Sequence, residues 1–150
     1  MEFASIIIAT ASAIISIVTF FVTVGFEKRK ITIRAINLLQ NEVLDKFVFV
    51  KKDNVKFVVE NLEDEKCRKT YDEYRTLVAR LEHFAVGVNK RIYNYGIVKV
   101  LLGNHLIFLY NKVSVIINEA NKHEKHTVYY CNFEKLVKRL KTDINSSNGK

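Results

Sequence analysis

An uncharged apolar run opens the chain and gives way abruptly to basic residues. Residues 3–26 contain no Asp, Glu, Lys or Arg. As an α-helix this run would be about 36 Å long, and the hydrocarbon core of a bilayer is about 30 Å thick. No basic residue precedes the run, whereas a cleaved secretory signal would start with positive charge. The pattern predicts an uncleaved, single-pass transmembrane helix over residues 1–27.

The basic residues that follow the run set its predicted orientation. Lys and Arg are enriched on the cytoplasmic side of membrane spans, where they also meet anionic lipid. The N-terminus is therefore predicted to lie outside and the rest of the chain in the cytoplasm. The residues that mark this interface are Lys28, Arg29, Lys30 and Arg34.

Small and hydroxyl-bearing residues interrupt the apolar run at steps of four and three, which keeps them on one face of a helix. Small residues let helices approach in a membrane, and hydroxyls can hydrogen-bond across the contact. One interpretation is helix–helix packing, and another is a stripe that faces the water-filled lumen of a ring. A hydroxyl can also donate to the backbone carbonyl four residues earlier, in which case it indicates neither helix packing nor a lumen. Both main interpretations require self-association, and the residues concerned are Ser5, Ala9, Ser12, Ser16, Thr19 and Thr23.

Hydrophobic positions after the span recur at helical spacing and predict a cytoplasmic helical domain over residues 28–142. The first helix is predicted to continue beyond residue 30, a loop and a short helix to cover 51–66, and further helices to cover 67–88, 93–121 and 128–142. A disordered tail is expected over 143–150. Five Gly and no Pro in 150 residues favour such an all-α chain.

A second apolar stretch lies within residues 93–121, but Lys99 and Lys112 would make a membrane span there expensive. We interpret it as a buried cytoplasmic helix, or as a pair of helices hinged near Gly103. The chain is thus expected to cross the membrane once.

The chemistry-bearing residues do not form a recognisable metal or cofactor site. Cys67 and Cys131 are expected to be free thiols in a reducing compartment. His123 and His126 are spaced to share a metal only if helical, and a third ligand cannot be placed. Because these residues lack the spacing of a metal or cofactor site, we predict no metal and no cofactor.

The formal net charge of +8 suits nucleic acid and an anionic membrane surface equally well.

Four blocks of the chain together resemble a known family. They are MEFASIIIATASAIISIVTF, EKRKITIRAINLLQNEVLDK, the block LVARLEHFAVGVNKRIYNYGIVKVLLGNHLIFLYNKVSVIINEANK and YYCNFEKLVKRL. They are similar to the small single-span membrane accessory proteins of type VI-B CRISPR loci, a pore-forming family with a divergent HEPN-like helical domain. The resemblance implies a homo-oligomeric ring, an octamer, in the bacterial inner membrane. It also implies a functional link to an RNA-guided CRISPR effector, with direct RNA binding left open.

The ribonuclease motif of HEPN domains, an Arg followed by a His after four to six residues, is absent. Its nearest imitation is Lys99 with His105, where a Lys lacks the forked guanidinium that grips phosphate. His83 is interpreted as a hydrogen-bonded structural histidine. We therefore predict no catalytic residues and no enzyme.

The function expected from the sequence is a membrane pore that enhances RNA-guided anti-phage defence by permeabilising or depolarising the inner membrane. Residues 77–117 are expected to supply most contacts between copies. The alternatives are a membrane-tethered HEPN-like ribonuclease and a passive tether or scaffold for an RNA-targeting effector.

Overall fold

The computed structural model describes residues 2–122 and 129–148, with side chains over 10–122 and 129–146. Every regular element within these ranges is a helix, which confirms the predicted all-α fold. The elements are α1 (Glu2–Leu39), a π-helical turn (Gln40–Leu44), α2 (Asp45–Val48), α3 (Lys52–Glu60), α4 (Glu65–Asn89), α5 (Tyr95–Lys122) and α6 (Cys131–Asn148).

The first helix has an uncovered half and a packed half. It runs without a break from α1 through the π-helical turn into α2, a length of about 70 Å. Residues 10–27 are exposed on all sides. Beyond them the residues that face the bundle become buried at steps of three and four: Thr32, Ile36, Leu39, Val43 and Phe47.

The packed half of the first helix joins α3–α6 around one apolar core. The Phe84 ring of α4 stacks on Tyr93 at a centroid distance of 5.5 Å, and the Tyr110 ring of α5 meets Phe133 of α6 at 5.8 Å. The side chains of Val78, Leu81, Leu106, Ile116, Phe133 and Leu136 are completely buried. The bundle supplies its own core without the exposed half of α1.

Thr32 marks the junction between the two halves of α1. Its side chain is fully buried, and its hydroxyl donates to the Lys28 carbonyl at 2.7 Å. The same oxygen accepts the Asn94 backbone N–H at 2.8 Å. The start of α5 is thereby hydrogen-bonded to the point where α1 enters the bundle.

The second apolar stretch is a single continuous helix that buries one side in the bundle, so the alternative of a hinge near Gly103 was wrong. The helix α5 passes through Gly103 without interruption. A Cβ at this position would lie 3.2 Å from Ile144 Cδ1 and 3.6 Å from Leu140 Cδ2. The glycine therefore provides room for α6 rather than flexibility.

The predicted disordered tail is also corrected, because α6 continues to Asn148. Asp143 accepts a hydrogen bond from the Tyr95 hydroxyl at 2.7 Å, and its carbonyl accepts one from Lys99 Nζ at 3.4 Å. Burial first, and the bond to Asp143 second, raise the pKa of Tyr95 to about 12. These contacts with α5 hold residues whose local sequence alone indicates disorder.

Smaller differences concern the ends of elements. The predicted loop and short helix over 51–66 occur in the opposite order, with α3 first and a turn at 61–64. The turn ends where Asp64 accepts the Cys67 N–H at 2.9 Å and begins α4, a bond that lowers the pKa of Asp64. The predicted start of the last helix at 128, with His123 and His126, lies outside the described residues.

Replacing Thr32 by Val tests the junction. The substitution keeps the shape but leaves the partly buried Asn94 N–H without its acceptor, which costs about 1 kcal/mol. Thermal unfolding of the full chain in detergent, followed by circular dichroism, should show a lower melting temperature. The matched control is Thr76→Val, which removes only an exposed hydroxyl bonded to the Asp72 carbonyl. Equal melting temperatures for the two variants would contradict the role of Thr32.

Candidate functional site

The exposed half of α1 is the most unusual surface of the chain. Its large apolar side chains between residues 14 and 26 are 49–68% exposed. Among the described residues, two helices, α1 with its continuation and α5, are long and apolar enough to cross a membrane. They differ in burial, because none of the apolar window of the first is buried in the bundle, whereas 44% of that of α5 is.

The predicted stripe lies on this exposed half. Ser12, Ser16, Thr19 and Thr23 are all exposed, at helical positions that share one face. The Ser16 hydroxyl donates to the Ser12 carbonyl at 2.8 Å. That hydroxyl proton is therefore satisfied within the helix, while its oxygen can still accept a hydrogen bond. The side chains of Ser5 and Ala9 lie outside those described.

The predicted interface cations project from different sides of α1 where this helix enters the bundle. Arg29, Lys30 and Arg34 are exposed, whereas Lys28 is half-buried against the bundle. Arg34 lines a cavity of about 430 Å³ between α1 and α4, whose walls are mostly apolar. The basic residues therefore face different surroundings, which their common sequence signal does not distinguish.

The cavity between α1 and α4 also contains His83, Arg80 and Glu42. Arg80 forms an ion pair with Glu42, so one of its two arginines already has a carboxylate partner. His83 is exposed, which corrects the expectation of a hydrogen-bonded structural histidine. The fold thus brings a histidine beside Arg34 and Arg80, although neither arginine has the motif spacing in sequence.

Lys99 and His105 do not form a site together. Six residues along an α-helix turn the side chain by about 240°. Lys99 contacts the Asp143 carbonyl of α6, whereas His105 is exposed beside Val48 and Phe108 at a different cavity. The suggested remnant of a ribonuclease pair is therefore divided between two faces of α5.

Lys112 is a buried cation whose partners could not be identified from the sequence. It is 9% exposed, and its Nζ donates to the Phe47 carbonyl at 3.0 Å and the Val48 carbonyl at 3.5 Å. Its ammonium also lies 4.7 Å from the centroid of the Phe108 ring. A cation at the C-terminal carbonyls of a helix is favourable. Lys112 thus ties α5 to the end of the first helix.

Glu82 plays a similar part at the start of α6. Its carboxylate accepts the backbone N–H groups of Asn132 at 3.1 Å and Phe133 at 2.8 Å, and the Asn132 side-chain amide at 2.8 Å. A negative charge at a helix N-terminus is stabilising. Glu82 and Asn132 are fifty residues apart, so helical periodicity could not associate them.

Neither cysteine is in a disulfide, since Cys67 and Cys131 are both free thiols. Among the described residues, no group of three or more His, Cys, Asp or Glu side chains is arranged to hold a metal ion. The described surface offers helical faces and cavities rather than a metal centre.

These features define an all-helical protein in which an exposed apolar N-terminal helix leads into a bundle. Residues 6–140 match the model of a domain of unknown function, DUF4760, and the chain belongs to that family. No curated protein and no solved structure matches the chain.

Replacing Lys112 by Met tests whether α5 is fixed in the bundle. Methionine keeps much of the aliphatic stem but leaves the Phe47 and Val48 carbonyls without the ammonium. A loss of about 1–3 kcal/mol in the free energy of unfolding is expected from denaturant titration in detergent. The control is Lys138→Met on the exposed face of α6. Indistinguishable unfolding midpoints would show that the buried contact contributes nothing.

Proposed function

We propose that this chain is a single-pass membrane protein whose copies associate through α1 into an ion-conducting ring. The observation that carries the proposal is the exposed half of α1. Its apolar side chains cost free energy in water, at about 25 cal/mol for each Å² left uncovered. A bilayer covers the apolar faces, and the cations from Lys28 onward then stand at the cytoplasmic interface.

The weakly polar stripe is the reason to propose several copies rather than one. Lipid covers leucine-like surface as well as a neighbouring helix does, so apolar faces alone drive no association in a bilayer. The stripe from Ser12 to Thr23 offers close approach and hydroxyl oxygens on one side only. In a ring, this side faces the neighbouring helix or the lumen.

The bundle has a second surface that favours assembly. On α5 the side chains of Val100, Leu101 and Phe108 are 81%, 51% and 61% exposed. Their positions fall within a quarter to a third of the helix circumference, an arc that also contains the exposed Asn104 and Asn111, so they form one face whose large side chains are apolar. This face lies in the block 77–117, and we propose that it contacts the next subunit.

The resemblance to the accessory proteins of type VI-B CRISPR loci supplies the proposed biological setting. A pore of eight copies in a bacterial inner membrane would depolarise the cell and strengthen RNA-guided defence. Phage plating on cells that carry an RNA-cleaving effector, with and without this chain, tests the link. Equal protection in both strains would remove the defence role and leave the pore untouched.

The second candidate is a membrane-tethered ribonuclease, and the cavity shared by His83, Arg34 and Arg80 favours His83 over His105 as its site. An arginine could bind phosphate while the histidine transfers a proton. The apolar walls of the cavity and the pairing of Arg80 with Glu42 are unfavourable for binding an RNA phosphate. Cleavage of RNA by the purified chain, abolished by His83→Ala, would establish this function instead.

Liposome flux with Ser12→Leu/Ser16→Leu tests the pore. Leucines on the stripe would either line the lumen with apolar surface or keep helices apart, so flux of a small cation should fall to the level of protein-free liposomes. The control is Ile14→Leu/Val18→Leu, which changes positions about 200° around the helix. Flux equal to that of the unchanged chain would contradict the proposal, and absence of flux from the unchanged chain would favour a passive tether.

Val100→Asp tests the contact between bundles. A charge within the apolar α5 face should be costly once that face is covered, so the mass of the full chain in detergent should shift from oligomer toward monomer. Asn54→Asp introduces the same charge at an exposed position of α3, away from the α5 face, and should leave the mass unchanged. An unaltered oligomer with Val100→Asp would exclude this face as the contact.

A further inference from the structure

A cavity of about 320 Å³ lies where α1 enters the bundle, and it concentrates positive charge from three elements. Lys28 of α1, Arg91 of the segment between α4 and α5, and Arg139 of α6 all line it. No carboxylate is among the described residues that line it. Its size falls within the range of about 300–1,000 Å³ for small-molecule sites.

Arg139 is an exposed residue whose guanidinium is oriented by one aromatic contact. Its guanidinium carbon lies 3.6 Å from the centroid of the Tyr95 ring, so the planar group stacks on the aromatic face. Asp143 faces the same region, and its carboxylate accepts the Tyr95 hydroxyl at 2.7 Å. A guanidinium oriented in this way can present paired N–H donors to a phosphate.

Arg91 occupies a backbone conformation that glycine would adopt more easily. Its φ is 62°, in the left-handed region, directly after the C-terminal end of α4. Glycine is the usual residue at such a position, because a Cβ is disfavoured there. An arginine in a strained conformation at a cluster of cations points to a use for its side chain.

The start of α5 completes the cavity. Tyr95 and Gly96, the first residues of α5, are part of its wall. Asn94 accepts the Ile97 N–H at 3.2 Å and so caps this helix. The N-terminus of a 28-residue helix adds partial positive charge to that of the three cations.

The position of the cavity indicates what kind of anion it meets. Lys28 lies two residues after the end of the uncharged run. Asn94, which also lines the cavity, is hydrogen-bonded to Thr32 of α1. The cavity therefore lies at the bundle end of the apolar half of α1. Ile92, next to Arg91, is 57% exposed in the same segment. An apolar tip beside basic residues is suited to a bilayer surface.

We infer that this cavity binds the phosphate group of an anionic phospholipid, with Arg91 and Arg139 as its principal ligands. The inference rests on the part of the proposed function that places α1 across a bilayer, and it is independent of the ring and the pore. A bound lipid would fix the bundle against the cytoplasmic surface.

Calorimetric titration of the full chain, in a zwitterionic detergent, with dioctanoyl phosphatidylglycerol tests the site. Arg91→Gln should raise the dissociation constant about tenfold or more, because a charge-assisted hydrogen bond is removed. The control Arg68→Gln alters an exposed cation at the far end of α4 and should bind as the unchanged chain does. Equal affinities for the two variants would overturn the site.

Arg91→Gly separates binding from stability. Glycine relieves the left-handed conformation, so the melting temperature should rise while phosphatidylglycerol affinity falls. A residue with only a structural role could not give these opposite changes. A rise in melting temperature with unaltered affinity would overturn the assignment.

Inorganic phosphate in the same titration distinguishes the source of the ligand. It should compete only weakly, because it lacks acyl chains, and equal affinity for phosphate and lipid would overturn the lipid assignment. Flotation of the chain with vesicles of phosphatidylcholine and phosphatidylglycerol reports on membrane insertion separately. Failure to float would reject the proposed function, whereas flotation with unaltered Arg91→Gln affinity would reject only the site.

Discussion

The structure depends on one constraint, which is that a single helix must satisfy two different environments. From residue 32 onward, the first helix buries one face in a bundle whose core is complete. Over residues 10–27 it buries nothing within the described part of the chain. Because helical hydrogen bonds are made within the segment, the exposed half needs no protein partner for its backbone, and only its side chains decide where it is stable.

The bundle fixes the direction in which this helix leaves. Thr32 bonds the start of α5, and Lys112 bonds the carbonyls at the end of the first helix. Two tertiary contacts therefore hold the packed half of the helix, one near each end. Because the helix is unbroken across the junction, the exposed half is oriented by the same contacts.

Much of the fold could be predicted from the sequence, since the helix bounds predicted for α4 and α5 differ from the observed bounds by only a few residues. Two of the errors have a common cause in tertiary packing. Gly103 indicates a hinge by composition, but it accommodates Ile144, and Asp143 bonds Tyr95 beyond the predicted end of α6. Local pattern contains no information about such partners, which are some forty residues distant. Membership in the DUF4760 family places the chain among relatives without adding an activity.

The candidate site likewise has features that the sequence predicts and features that depend on tertiary contacts. The stripe on α1 follows from spacing alone, and the described part of it lies on an exposed face, but which side of a ring it would face does not follow from one chain. The roles of Glu82 and Lys112 come from contacts between separate helices, and Arg91 and Arg139 meet at one cavity although they are far apart in sequence. Lys99 and His105 show the opposite case, because closeness in sequence did not bring them together in space.

The mass of the unchanged full-length chain in detergent, measured by light scattering with the detergent contribution subtracted, tests the central claim most directly. The account predicts a closed oligomer of defined size, since the stripe on α1 and the apolar face of α5 each require a neighbour. A monomer at all protein concentrations, with no larger species, would contradict it.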